Sequence, residues 1–261
     1  MKIGIFDSGI GGLSVLQMLI KIMPNEEYFY YLDSVHVPYG EKSKEDIIKY
    51  TDEAIAFLIN EGCDITCIAC NTATSVAAEI LRKKYSTPIV GVEPAVKPAV
   101  ELSANGEKEG RILVIATPVT VSEKKLHDLI EKFDNEHLVD MKALPKLPSY
   151  AEKGMFEGEE VMNYLYDEFK DTDCSIYSEI VLGCTHFKHF TKALREIFGE
   201  NIEFLDGALG TARNIKRIAD NNNFVSEGSF KITYYESGKM IRNAERIRFL
   251  DSVLKRLEII D

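Results

Sequence analysis

The chain has no apolar stretch approaching the roughly 18 residues that a membrane-spanning helix needs, although hydrophobic residues make up 45% of its 261. Its start, MKIGIFDSG, enters an apolar strand at once and carries neither the charged nor the apolar region of a secretory signal. A cytoplasmic protein with no membrane partner is therefore expected. A basic cluster is missing as well: the net charge is −11, and the short run Arg82–Lys84 reads as the charged end of a helix. A surface of that sign repels nucleic acid and anionic lipid, so no nucleic-acid partner is expected. Cysteines are scarce and odd in number, five in all, in a chain long enough to bury a large core without disulfide staples. Reduced thiols follow, and those that matter should matter as thiols. Low-complexity tracts are also missing, and the one candidate linker is the polar ELSANGEKEG, Glu101–Gly110.

What the sequence does have is an alternation. Short apolar runs at Lys2–Phe6, Tyr28–Leu32, Ile65–Ala69, Ile89–Val92, Ile112–Ala116, Leu138–Ala143, Glu179–Leu182, Ile202–Leu205 and Lys231–Tyr235 predict strands. Between most of them lie runs of helical period, among them Lys44–Asn60, Ala73–Lys84, Glu123–Phe133, Glu159–Phe169, Phe190–Phe198 and Ala244–Leu257. Such alternation predicts an α/β fold of parallel sheets covered by helices. It is also faintly duplicated. IACNT (Ile68–Thr72) resembles LGCTH (Leu182–His186), and each is preceded at similar distance by a strand ending in a small polar element, FDSG and IATP. Two related α/β halves are implied, each with a cysteine at the carboxyl end of a strand, where open parallel sheets bind their ligands.

The first loop, IGIFDSGIGG (Ile3–Gly12), partly matches a dinucleotide fingerprint, with Asp33 at the distance of a ribose-binding acid. The third glycine position holds Ser14, however, and Asp7 would aim a carboxylate at the pyrophosphate, where a helix N-terminus favours anions. The loop suits a different ligand. Among the cysteines, Cys63, Cys67 and Cys174 read as core residues, the commonest fate of a free thiol. Cys67 and Cys70 form C-x-x-C, but Ile68 and Ala69 between them belong to a strand, and no second pair or paired histidines complete a metal site. Cys70 and Cys184 differ, because both lie just past a strand beside polar residues and a helix start, a setting that favours the thiolate.

FDSGIGG, VPYG (Val37–Gly40), ACNTAT (Ala69–Thr74), GVEPAVKPA (Gly91–Ala99) and GCTH (Gly183–His186), in that order and continuing to YYESG (Tyr234–Gly238), resemble the signature of the glutamate racemases. The resemblance spans essentially the whole chain. It implies two similar parallel-sheet α/β domains about a pseudo-twofold axis with the active site in the cleft between them. The division would be residues 1–95 with 208–261 on the Asp7 and Cys70 side, and 96–207 on the Cys184 and His186 side. It implies racemisation of glutamate for peptidoglycan precursors without a cofactor or metal, by a homodimer. Cys70 would act on the D-enantiomer and Cys184 on the L-enantiomer, Asp7 would polarise Cys70 or meet the substrate ammonium, and His186 would play the corresponding part beside Cys184. Glu152 is carried over as an auxiliary catalytic residue. Ser8, Pro38, Tyr39, Gly40, Asn71, Thr72, Thr117 and Thr185 would bind substrate, with hydroxyl and amide donors facing its two carboxylates.

The chemistry is self-consistent: inverting an α-carbon takes one group to remove a proton from one face and another to deliver one to the opposite face. Simpler readings exist for single residues. Ser8, Asn71 and Thr72 fit helix caps, Gly9, Gly11 and Gly12 fit turns, and His186 fits a satisfied histidine. The chain also departs from the family. Phe187 is followed by Lys188 where a proline is usual, so the helix start there is expected to differ, and ALPKLPSYAE before Glu152 matches only loosely. Rival assignments are an aspartate racemase, which tends to carry glutamate where this chain has His186, and a nucleotide-dependent oxidoreductase using the first loop and Asp33. An aspartic protease would need a second D-[ST]-G, and a catalytically dead binding protein would have lost one of the two cysteines.

Overall fold

Strands read as continuous apolar runs need cover on both faces, and the computed structural model, which describes residues 1–104, 110–226 and 228–260, buries the central strands almost throughout and leaves β6 and β8, at the sheet edges, partly exposed. In chain order the elements begin β1 (Lys2–Asp7), α1 (Leu13–Ile22), β2 (Glu27–Leu32), α2 (Lys44–Asn60), β3 (Ile65–Ile68), α3 (Asn71–Lys84) and β4 (Ile89–Gly91). They continue with α4 (Val96–Ala104), β5 (Arg111–Ala116), α5 (Pro118–Ser122), α6 (Lys124–Phe133), β6 (Val139–Ala143), α7 (Leu147–Glu152), α8 (Glu159–Phe169) and β7 (Tyr177–Leu182). After these come α9 (Thr191–Phe198), β8 (Glu203–Asp206), α10 (Ala208–Asn221), β9 (Lys231–Glu236), β10 (Lys239–Met240) and α11 (Ala244–Ile260).

Two units result, Met1–Glu93 with Ala208–Asp261, and Pro94–Gly207. The chain passes between them at these points and not in the candidate linker: Glu101–Ala104 close α4, and 105–109 lie outside the described residues. The first unit holds a sheet of order β10-β9-β2-β1-β3-β4, parallel except for β10, and the second holds a parallel sheet of order β6-β5-β7-β8. The four strands β2-β1-β3-β4 thus repeat as β6-β5-β7-β8. In both, the chain leaves the first-formed strand in opposite directions along the sheet, so a crevice opens at the carboxyl ends of β1 and β3, and of β5 and β7.

Register gives the duplication its residue-by-residue form. Phe6 pairs with Ile68 and Ile115 with Leu182, so two residues further on Ser8 lies level with Cys70 and Thr117 with Cys184. Thr117 is the counterpart of Ser8, and Ala116 that of Asp7. The match is kept by one backbone bond in each unit: the Ala69 N–H donates to Phe6 O and the Gly183 N–H to Ile115 O, both at 2.7 Å.

Packing explains the rest. In the first unit α1 lies against α10 and α11, and the tyrosines of β2 reach out of the sheet: Tyr28 Oη donates to Met23 O (2.5 Å) and Tyr30 Oη to Gly9 O (2.7 Å). The second bond ties the first loop to the sheet. In the second unit Val96, Ala99, Ile112, Val114, Leu126 and Val181 form one buried cluster from α4, β5, α6 and β7. The strand β10, which the periodicity does not predict, forms because the two-residue turn Ser237–Gly238 has positive φ at both positions, the geometry of a tight hairpin.

Candidate active site

In the first unit the strand β1 ends on Asp7, whose side chain is fully buried. Gly9 N–H donates to its Oδ1 at 2.8 Å. Gly12 explains the glycine-rich sequence better than a phosphate loop would: a Cβ there would meet Asp7 Cβ at 2.6 Å and Ala69 Cβ at 3.0 Å. The glycine exists to let helix α1 start against the carboxylate.

Cys70 is the N-cap of α3, and its sulfur accepts the Ala73 N–H at 3.5 Å with Ser8 Oγ at 3.6 Å. A helix N-terminus stabilises negative charge on that sulfur. The helix-cap reading of Ser8, Asn71 and Thr72 therefore gives way, since α3 is capped by Cys70 and α1 by Gly12. All three are buried all the same. The Asn71 Nδ2 has no hydrogen-bond partner, and a buried donor left unsatisfied costs about 1–3 kcal/mol. An acceptor from a ligand removes that cost. Cys67, in mid-strand, is a core thiol whose pKa burial raises, with the Asp7 charge adding to it.

Pro38, Tyr39 and Gly40 approach this half-site on the loop after β2, where Tyr39–Glu41 make a single 3-10 turn. The Tyr39 hydroxyl donates to Asp33 Oδ2 at 2.7 Å. Its one proton is therefore directed to Asp33.

In the second unit Cys184 follows β7 and precedes a 3-10 helix, Thr185–Phe190, before α9 begins at Thr191. Lys188 in this segment pairs with Asp206 Oδ2 at 3.0 Å and holds it to the end of β8. His186 Nδ1 lies 3.8 Å from Cys184 Sγ, and its Nε2 lies 2.7 Å from Glu152 Oε1. Glu152, at the last position of α7, is thus brought to the site across 34 residues of sequence. Burial acts against a charge on His186, but the Cys184 and Glu152 interactions outweigh it and hold its pKa well above the ordinary histidine value. Thr185 is buried, while Thr117 caps α5, accepting the Thr120 N–H at 3.3 Å.

Asp33, at the distance of a ribose ligand in the sequence, and Ser237, in YYESG, meet in the fold: Ser237 Oγ donates to Asp33 Oδ1 at 2.9 Å, a contact that no local stretch of sequence signals. None of the five cysteines is in a disulfide, and among the described residues no group of three or more His, Cys, Asp or Glu could hold a metal ion.

Two parallel-sheet units, one presenting a thiol at a helix N-terminus and the other a thiol, imidazole and carboxylate in series, define an enzyme of thiol acid–base chemistry. Residues 3–214 match the Asp/Glu/Hydantoin racemase family, to which the chain belongs. It is 48% identical to a glutamate racemase of Campylobacter curvus over 99% of this chain and 100% of that one. Its fold is similar to that of Escherichia coli glutamate racemase in complex with L-glutamate and the activator UDP-MurNAc-ala (TM-score 0.80, 29% identity, 98% and 94% of the two chains). It is equally similar to that of the Francisella tularensis glutamate racemase in complex with D-glutamate (TM-score 0.80, 26% identity, 97% and 93%).

Proposed function

We propose that this protein interconverts L- and D-glutamate with Cys70 and Cys184 as its two bases and without a cofactor. The observation that carries the reading is the matched placement of the two thiols, each two residues beyond equivalent strand positions and each with its own polar partners. The near-full-length likeness to glutamate racemases supports it.

Starting from D-glutamate, the Cys70 thiolate removes the α-proton and becomes a thiol, while the Cys184 thiol delivers its proton to the opposite face and becomes a thiolate. The product is L-glutamate, and the enzyme is left in the form that accepts L-glutamate. The α-proton is a very weak acid, so charge developing on the substrate must be met by fixed donors. Asp7 takes the ammonium. Ser8, Asn71, Thr72, Thr117, Thr185 and the main chain at Tyr39–Gly40 serve the two carboxylates, and Pro38 shapes the approach of that main chain. His186, with a proton on both nitrogens, donates to the Cys184 sulfur and to Glu152, stabilising the thiolate. The same residues answer the question of the first loop, since a carboxylate at the end of β1 suits an ammonium and not a phosphate.

D-glutamate made this way enters peptidoglycan precursor synthesis, and the protein works in the cytoplasm as a homodimer. Sedimentation at working concentration returning the monomer mass would remove the dimer. The activity is tested by incubating the purified protein with L-glutamate, and separately L-aspartate, without added cofactor and following optical rotation. Rotation is expected to decay with glutamate and persist with aspartate; the reverse would make it an aspartate racemase.

A further inference from the structure

Asp33, at the end of β2, is buried and holds three side-chain partners on one carboxylate. Tyr39 Oη donates to Oδ2 at 2.7 Å, Ser237 Oγ donates to Oδ1 at 2.9 Å, and His36 Nδ1 lies 2.8 and 2.9 Å from the two oxygens. His36 and Tyr39 belong to the loop that carries Pro38–Gly40. Ser237 lies 204 residues further on, in the tight turn between β9 and β10.

Strand pairing makes this meeting possible. β9 lies parallel to β2 with Leu32 opposite Glu236, so both strands deliver their next residues to the same edge. There the loop and the turn are laced together. Ser34 Oγ donates to Glu236 Oε1 (2.5 Å) and Val35 N–H to Ser237 Oγ (3.3 Å), and Arg246 of α11 fixes Glu236 from behind (2.7 Å). On its other side the Tyr39 ring rests on Phe6 and Tyr50, with ring centroids 5.9 and 6.3 Å away. Burial, then the Asp33 carboxylate and Cys70, push the Tyr39 phenol above its ordinary pKa, so it stays a neutral donor.

We propose that Asp33 and the Ser237–Gly238 turn form a brace that fixes Tyr39, and with it the main chain at Gly40, for glutamate binding, so that Asp33 is a positioning residue. This rests on the reading of Tyr39–Gly40 as a substrate contact. Because the Tyr39 proton goes to Asp33, the phenol is an internal anchor, and the group left for substrate is the backbone beside it. A backbone held before the ligand arrives does not have to be ordered on binding. The brace therefore acts on KM and leaves the proton transfers alone.

The test compares Asp33→Asn, Ser237→Gly and Tyr39→Phe, singly and combined, in glutamate racemisation. Asn keeps the size of Asp33 but offers one acceptor where three partners need two. Gly at 237 removes the hydroxyl, and with it the bonds to Asp33 and from Val35, yet suits the positive φ of 44° there, so these losses are separated from backbone strain. Asp33→Asn is expected to raise KM about tenfold, the scale of a lost hydrogen bond to a charged group, and Ser237→Gly about threefold, with kcat within about twofold of wild type. Asp33→Asn added to Tyr39→Phe should change KM little beyond the larger single effect. Wild-type KM in Ser237→Gly and in folded Asp33→Asn, with or without a lower Tm, overturns the brace while racemisation itself stands. Additive KM effects of Asp33→Asn and Tyr39→Phe overturn the claim that Asp33 acts through Tyr39. Wild-type protein inert toward glutamate overturns the reading of the site, and the brace with it. Should Asp33→Asn not fold, Ser237→Gly alone decides.

Discussion

Cys70 and Cys184 are alike in position and unlike in company: one sulfur accepts a helix N–H and faces a serine hydroxyl, the other faces an imidazole backed by a carboxylate. Because the equilibrium constant of a racemisation is one, kcat/KM must be equal in both directions, so racemisation rates hide this asymmetry. An irreversible half-reaction exposes it. Each single Cys→Ser variant is expected to lose racemisation by several orders of magnitude, because a serine hydroxyl is a far weaker acid and a poor base at neutral pH. Given a glutamate analogue with a leaving group at C3, Cys184→Ser should eliminate it only from the D-enantiomer and Cys70→Ser only from the L-enantiomer. Equal elimination from both enantiomers by both variants would mean that one base serves both faces. The His186 imidazolium gives a pH test. Its raised pKa means that the charged form persists above the ordinary value of about 6.5 and is lost as pH rises through the folded value. Glu152→Gln removes one of the two interactions that raise it, so the alkaline limb of elimination from the L-analogue should move to lower pH. An unmoved limb, measured across the pH profile, would detach Glu152 from the proton chemistry.

At the scale of elements, the start of each helix decides what a strand end can do. Gly12 lets α1 begin against Asp7, and an alanine there brings Cβ to 2.6 Å from Asp7 Cβ. Gly12→Ala should lower stability by about 1–3 kcal/mol in denaturant unfolding, as overpacking does, and should cut kcat sharply by displacing the carboxylate. Wild-type kcat would show that Asp7 tolerates displacement. Ser43 offers the contrasting case, because it caps α2 by accepting the Asp46 N–H at 3.1 Å and takes no part in the chemistry. Ser43→Ala should cost about 1 kcal/mol with turnover unchanged, which unfolding and kinetics on the same sample would establish.

For the molecule as a whole, a net charge of −11 keeps the surface unattractive to polyanions, and among the described residues no helix is long and apolar enough to cross a membrane. If its product feeds the cell wall, a strain deleted for it should require D-glutamate unless a D-amino-acid aminotransferase is present. Growth of a deletion strain on unsupplemented medium, with no such aminotransferase present, would sink that role.

The sequence by itself determined every strand but β10, the parallel α/β class and the two thiols, because a buried strand is written as an apolar run and a strand-end cysteine stands beside its helix start in the chain. It also marked Asp7 and His186, each one or two residues from an element boundary. Only the tertiary structure decided which side chains those groups meet. The ladder registers set Ser8 level with Cys70 and Thr117 level with Cys184. Glu152 reached His186 through the packing of α7 on the segment after β7, and Asp33 found Ser237 because β9 crosses back to lie beside β2. Local pattern specifies backbone period and burial, which act over a few residues. A hydrogen bond spanning 204 residues is set by sheet order and register, which no local stretch of the chain contains.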